Sequence, residues 1–158
     1  ATGFIGYNEK TRTIVVAFRG TSTMKDAFTD INLAMIDYYI DQSSEIKVHR
    51  GFLNYYSALR QQILDVIDPL VAQMGGAKAV EHILITGHSL GGAMATLAAV
   101  DMANHFTNAY GTLGFNYIQC ITFGAPPVGN MEFRKHWTSF HNIMSGYHFQ
   151  DPKDPICH

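Results

Sequence analysis

Ile83-Leu84-Ile85-Thr86-Gly87-His88-Ser89-Leu90-Gly91-Gly92-Ala93-Met94-Ala95 is the stretch whose reading decides the fold. Ile83 to Thr86 is apolar and β-branched, which predicts a buried strand. Gly87-His88-Ser89-Leu90-Gly91 fits G-x-S-x-G. From Ala93 to Phe106 the chain is rich in Ala, Leu and Met, which predicts a helix. Strand, sharp turn and helix together are the setting that a nucleophile elbow requires. The glycines have a steric reason, because a serine on such a turn leaves no room for side chains two residues to either side. The first turn of the helix directs unsatisfied N–H groups towards the serine, where negative charge would develop. In a chain with 14 glycines among 158 residues the pattern alone is weak, and its context carries it.

Upstream, Phe4 to Tyr7 and Thr13 to Arg19 predict two strands joined by a turn at Asn8-Glu9-Lys10, hence a hairpin. The second run is almost wholly apolar, as in a strand covered on both faces. Met24 to Ile36 has helical apolar spacing, with Thr23 as N-cap and Asp26 in the first turn. The segment from Ala34 to Ile40 reads either as ordinary core or as a flap over an apolar cleft. Val48 to Phe52 leads into a long helix whose apolar positions run from Phe52 through Tyr55, Tyr56, Ile63, Val66 and Ile67 to Met74. Pro69 is expected to kink it and Gly75-Gly76 to stop it. Downstream, residues 108–116 predict a loop, Tyr117 to Phe123 a strand, Met131 to Phe140 a short helix and Ser145 to Phe149 a last strand. Strands alternating with helices predict a single α/β domain over residues 1–158, with a mostly parallel sheet and helices on both faces.

Composition narrows the function classes. Hydrophobic residues make up 47% and charged residues 15%, a globular balance. A net charge of −2 argues against nucleic acid as a partner. The eight histidines are scattered and none has ligand spacing supported by cysteine or carboxylate, so neither a metal nor a cofactor is expected. Cys120 and Cys157 each lie near a predicted strand end, and either one bridge or two free thiols fits them. No apolar stretch reaches transmembrane length. The chain opens at Ala1 inside a strand-like run, so a processed or trimmed product, incomplete at both ends, is expected.

Four blocks then follow in order: Val16-Ala17-Phe18-Arg19-Gly20-Thr21, Val48-His49-Arg50-Gly51-Phe52, Thr86 to Gly92, and Thr122-Phe123-Gly124-Ala125-Pro126-Pro127-Val128-Gly129-Asn130. Together they resemble the class 3 lipases, the α/β-hydrolase group of the fungal triacylglycerol lipases, whose pattern plant relatives and feruloyl esterases share. The resemblance runs from about Ile14 to His158. It implies the α/β-hydrolase fold and a Ser-Asp-His triad with Ser89 as nucleophile. Asp154, in Asp154-Pro155-Ile156-Cys157-His158, is the implied acid, and Asp151 before Pro152 is the second choice. The implied oxyanion hole is Thr21, by its N–H and hydroxyl, with the N–H of Leu90, and Asp30 is expected to help place that hydroxyl. Met24, Phe28 and Ile31 map onto the lid.

Three departures stand out. The fungal lid carries a tryptophan where this chain has Ala27, next to Phe28. Pro127 stands where an arginine is frequent. The family's catalytic histidine lies tens of residues beyond the aspartate, whereas this chain stops at His158, so the base is expected to lie beyond it. His49 and His88 occupy family positions without a proton-transfer role. The resemblance thus implies a lipase acting on acylglycerols or similar lipid esters at a lipid–water interface, and it favours a secreted protein. A phospholipase A1, a feruloyl-type esterase and a non-catalytic hydrolase-fold binding protein are the rivals.

Overall fold

The computed structural model describes residues 2–20, 34–38, 45–111 and 117–153. Strands β1 (Gly3–Asn8) and β2 (Thr13–Phe18) form the expected antiparallel hairpin. Asn8 closes its turn, its side-chain oxygen accepting the N–H groups of Lys10 and Thr11. A three-residue strand, β3 (Met35–Asp37), pairs antiparallel with β4 (Lys47–His49). The long helix α1 (Arg50–Gln73) follows, then β5 (His82–His88), the elbow helix α2 (Leu90–Tyr110), β6 (Tyr117–Phe123), the short helix α3 (Met131–Ser139) and β7 (Met144–Phe149).

The main sheet has the order β1-β2-β5-β6-β7, and every pair after the first hairpin is parallel. The register aligns Val16, Ile85, Cys120 and Gly146 across four strands. That row faces α2, because the Cys120 thiol donates to the Ala95 carbonyl. Phe18 and His148 lie on the same face, and they meet Tyr56 of α1 and Trp137 of α3 edge-on or tilted. The three described α-helices therefore share one face of the sheet. The other face carries half-buried Val15, Leu84 and Ile121, and exposed Phe123, Tyr147 and Phe149.

Helix α2 is the centre of the core. Every residue from Leu90 to Ala103 is buried. A helix covered on all sides must be apolar all round, and its many alanines let sheet and neighbouring helix approach closely. Helix α1 is amphipathic instead: Phe52, Tyr56, Ile63 and Ile67 are buried, whereas Tyr55 and Val66 from the same expected stripe are exposed. It runs on through Pro69 to Gln73, and Gly75 and Gly76, both at positive φ, end it, with the Gly76 N–H returning to the Val71 carbonyl.

Two expectations need correcting. The helix predicted over Met24 to Ile36 does not include its last residues, because Met35 and Ile36 pair with His49 and Val48 as strand. Cross-strand pairing overrides helical spacing there. Most of that predicted helix lies outside the described residues. Cys120 sits in the middle of β6 and not near its end; it is a buried free thiol, and burial pushes its pKa up to about 12. Cys157 lies outside the described residues. In the segment from Ala34, Tyr38 is fully buried with its ring edge-on to Phe133, which makes this part core.

Candidate active site

Strand β5 delivers the chain to Ser89, and α2 begins at Leu90. Ser89 has φ 56° and ψ −124°, outside the regions that L-residues ordinarily occupy. Such a backbone costs on the order of 1–3 kcal/mol and persists only where its surroundings over-determine it. They do so from three sides. The Ser89 N–H donates to the Phe123 carbonyl of β6 at 2.9 Å. Its carbonyl accepts from Gly92 and Ala93 at 2.9 and 3.2 Å. The flanking glycines close the remaining space: a Cβ at Gly87 would lie 2.2 Å from the Gly91 carbonyl oxygen, and one at Gly91 would lie 2.3 Å from that of Phe18. The expected turn is therefore present, and its glycines are sterically required.

The side chain is unusual in another respect. Ser89 is fully buried, and among the described residues its Oγ has no hydrogen-bond partner. A buried hydroxyl without a partner costs about 1–3 kcal/mol, so it marks a place where stability is not what the residue serves. The N–H of Leu90, first in α2, has no intrahelical acceptor and carries the positive end of the helix dipole. The Ser89 hydroxyl and the first N–H of α2 are thus adjacent at the carboxyl edge of the parallel strands, where open α/β sheets hold their sites.

The family blocks converge on this edge. Gly20, after β2, packs so closely that a Cβ there would lie 2.6 Å from the His88 carbonyl oxygen. Asn130 joins the block at Val48 to the block at Gly129: its side chain accepts from the Lys47 N–H, donates to the Glu45 carbonyl and caps α3 at the Phe133 N–H. His49 lies at the start of α1 with its ring edge-on to Phe52. His88 is exposed, and its side chain is not within bonding reach of the Ser89 hydroxyl. Asp151 is exposed, and its carboxylate accepts the Lys153 N–H at 2.9 Å in a local turn. Thr21, Met24, Phe28, Asp30, Ile31, Asp154 and His158 lie outside the described residues.

Other polar groups escaped sequence reasoning. Asp101 is buried in α2, where it accepts from Tyr56 at 2.5 Å and from Arg60 at 2.6 and 3.0 Å. Burial, and then the Asp101 carboxylate, raise the Tyr56 pKa well above its usual value. Thr122 is fully buried in β6 and lies 2.6 Å from His148 Nδ1. Its place before Phe123 in a family block was the one available signal. A cavity of about 570 Å³, lined by Pro126, Val128, Arg134, Trp137 and His148 among others, lies beside this pair.

Residues 15–158 match the family described as lipase (class 3). A lipase of Rhizopus niveus is 34% identical over 131 residues, which cover 83% of this chain and 31% of the relative. The chloroplastic/mitochondrial phospholipase A1 EG1 of rice is 32% identical over 142 residues, covering 78% of this chain and 31% of the relative. The crystal structure of a lipase from Rhizopus microsporus var. chinensis superposes with a TM-score of 0.80 at 30% identity, over 99% of this chain and 50% of that one. The chain belongs to the class 3 lipase family and has the α/β-hydrolase fold. It spans about a third of the length of these curated relatives and half of the solved one.

Proposed function

We propose that the protein is a serine ester hydrolase of the lipase type, cleaving acylglycerols or similar lipid carboxylic esters. The observation that carries this reading is Ser89: held on a strained turn, buried, with an unpartnered Oγ next to the first N–H of α2. Ser89 attacks the ester carbonyl, and a histidine from the rest of the protein accepts its proton and passes it to the leaving alcohol. Asp154 orients that histidine. The Thr21 N–H and hydroxyl and the Leu90 N–H receive the oxyanion, and water then releases the acyl group. The full-length protein should be labelled at Ser89 by an organophosphonate. Labelling elsewhere, or none, would return the reading to a hydrolase-fold binding protein.

A second reading, phospholipase A1, is favoured by the likeness to the rice enzyme of that name. Hydrolysis of phosphatidylcholine set against tributyrin by the same preparation separates the two.

The lipid–water interface belongs to this proposal. Met24, Phe28 and Ile31 would form an apolar lid, and burying two such side chains is worth about 3–6 kcal/mol, enough to hold a lid closed in water. Among the described residues no helix is long and apolar enough to cross a membrane. A rate that jumps when a short-chain triglyceride passes its solubility limit, with the jump reduced by Phe28→Ser, supports a lid. Smooth saturation through the limit points to a lidless esterase.

A further inference from the structure

We propose that His148 is a positioning residue for the nucleophile, acting through Thr122. This rests on Ser89 being the nucleophile. Thr122 and the residue after it both meet the elbow. Its successor Phe123 accepts the Ser89 N–H, and its side chain stands against the first turn of α2, 3.3 Å from where a Cβ on Gly92 would be. In the sheet it lies opposite Gly87, the first glycine of the elbow. Thr122 is therefore the prop behind the turn that holds Ser89.

His148 fixes that prop. Its Nδ1 lies 2.6 Å from the Thr122 Oγ, and the two residues are register partners on β7 and β6. Among the described residues this is the hydroxyl's one hydrogen bond; Thr122 has no exposure, whereas His148 is exposed on its outer side. A buried hydroxyl proton needs an acceptor, so Thr122 donates to Nδ1 and the imidazole carries its own proton on Nε2. Burial lowers the His148 pKa, which keeps the ring neutral and able to accept. The Trp137 ring lies against the imidazole, and Arg134 of α3 is the charged side chain lining the adjoining cavity.

The bond has a second consequence. Among the described strands β7 pairs with β6 alone, and it leads directly into the segment that carries Asp151 and Asp154. Through Thr122 and His148, the strand that leads to the proposed acid is tied to β6, the strand whose Phe123 carbonyl accepts the Ser89 N–H. Loss of the bond lets both ends of the triad drift, and a small misplacement acts on the chemical step more than on substrate binding.

The test uses the full-length protein with a soluble p-nitrophenyl ester, alongside the rate of phosphonate labelling at Ser89. His148→Ala and Thr122→Val should each lower kcat and the labelling rate by roughly three- to tenfold, with KM within about twofold. The double variant should be no worse than either alone, since both remove one bond. His148→Asn puts an acceptor where Nδ1 was and should recover most of the rate; His148→Gln, whose amide reaches further, should not. Thr122→Ser keeps the hydroxyl and should stay near the parent. The Asn, Gln and Ser variants keep the comparison open if the Ala or Val variant fails to fold. Parental kcat in His148→Ala, multiplicative losses in the double variant, or equal rates for Asn and Gln would each overturn the inference. If the parent itself is not labelled at Ser89, the nucleophile assignment falls, and this inference falls with it.

Discussion

The residue that opens helix α2 and a residue about three turns along it are buried polar groups that are treated in opposite ways. At its start Ser89 is fully buried with no partner for its hydroxyl among the described residues. Further along, Asp101 is equally buried but takes hydrogen bonds from Tyr56 and, through both carboxylate oxygens, from the Nε–Nη2 edge of the Arg60 guanidinium. The first arrangement sacrifices stability at a strained turn to keep a hydroxyl available. The second satisfies a charge completely and fastens α1 to α2. The two ends thus differ in whether a buried polar group is given partners: the proposed nucleophile has none among the described residues, and the carboxylate that ties two helices together has three hydrogen bonds.

The comparison can be broken by substitution at either end. The largest effect belongs to Ser89→Ala, which should remove ester hydrolysis by at least about 10³-fold. Its melting temperature should stay level or rise slightly, because an unpartnered buried hydroxyl is lost. A large fall in melting temperature would mean that Ser89 serves the fold after all. Next comes Asp101→Ala, which withdraws the acceptor from Tyr56 and Arg60 together. It should cost about 3–5 kcal/mol in chemical denaturation while kcat per folded molecule is unchanged. Loss of kcat in the folded fraction would place Asp101 in the catalytic machinery. Smaller again is Thr21→Val, which under the proposed oxyanion role of Thr21 should lower kcat by about 10²-fold with little change in KM, since a donor to the oxyanion acts on the transition state. An unchanged kcat would mean that the backbone donors suffice.

The elbow is legible in the sequence because everything that defines it is local. A β-branched run, two glycines around Ser89 and an alanine-rich helix fall within a few turns of chain, and steric exclusion at Gly87 and Gly91 leaves few other residues possible. The hairpin, β5, β6 and the short helix α3 are legible for the same reason. Helical spacing misleads at Met35 and Ile36, where a partner strand from residues 47–49 decides the conformation. Periodicity also places Tyr55 and Val66 in the core stripe of α1, although the packing leaves both exposed.

The sequence by itself determined the class of fold, the sharp turn at Ser89 and the family blocks, because short-range sterics and hydrophobic period are written residue by residue. Only the tertiary structure decided which polar groups are spent on holding the chain together. Tyr56 meets Asp101, Thr122 meets His148 and Asn130 meets Lys47 across 45, 26 and 83 residues of chain. A polar residue in isolation reads as solvated surface. It becomes a clamp, a prop or a hydroxyl without a partner among the described residues only when folding removes water from around it and either supplies a partner or withholds one.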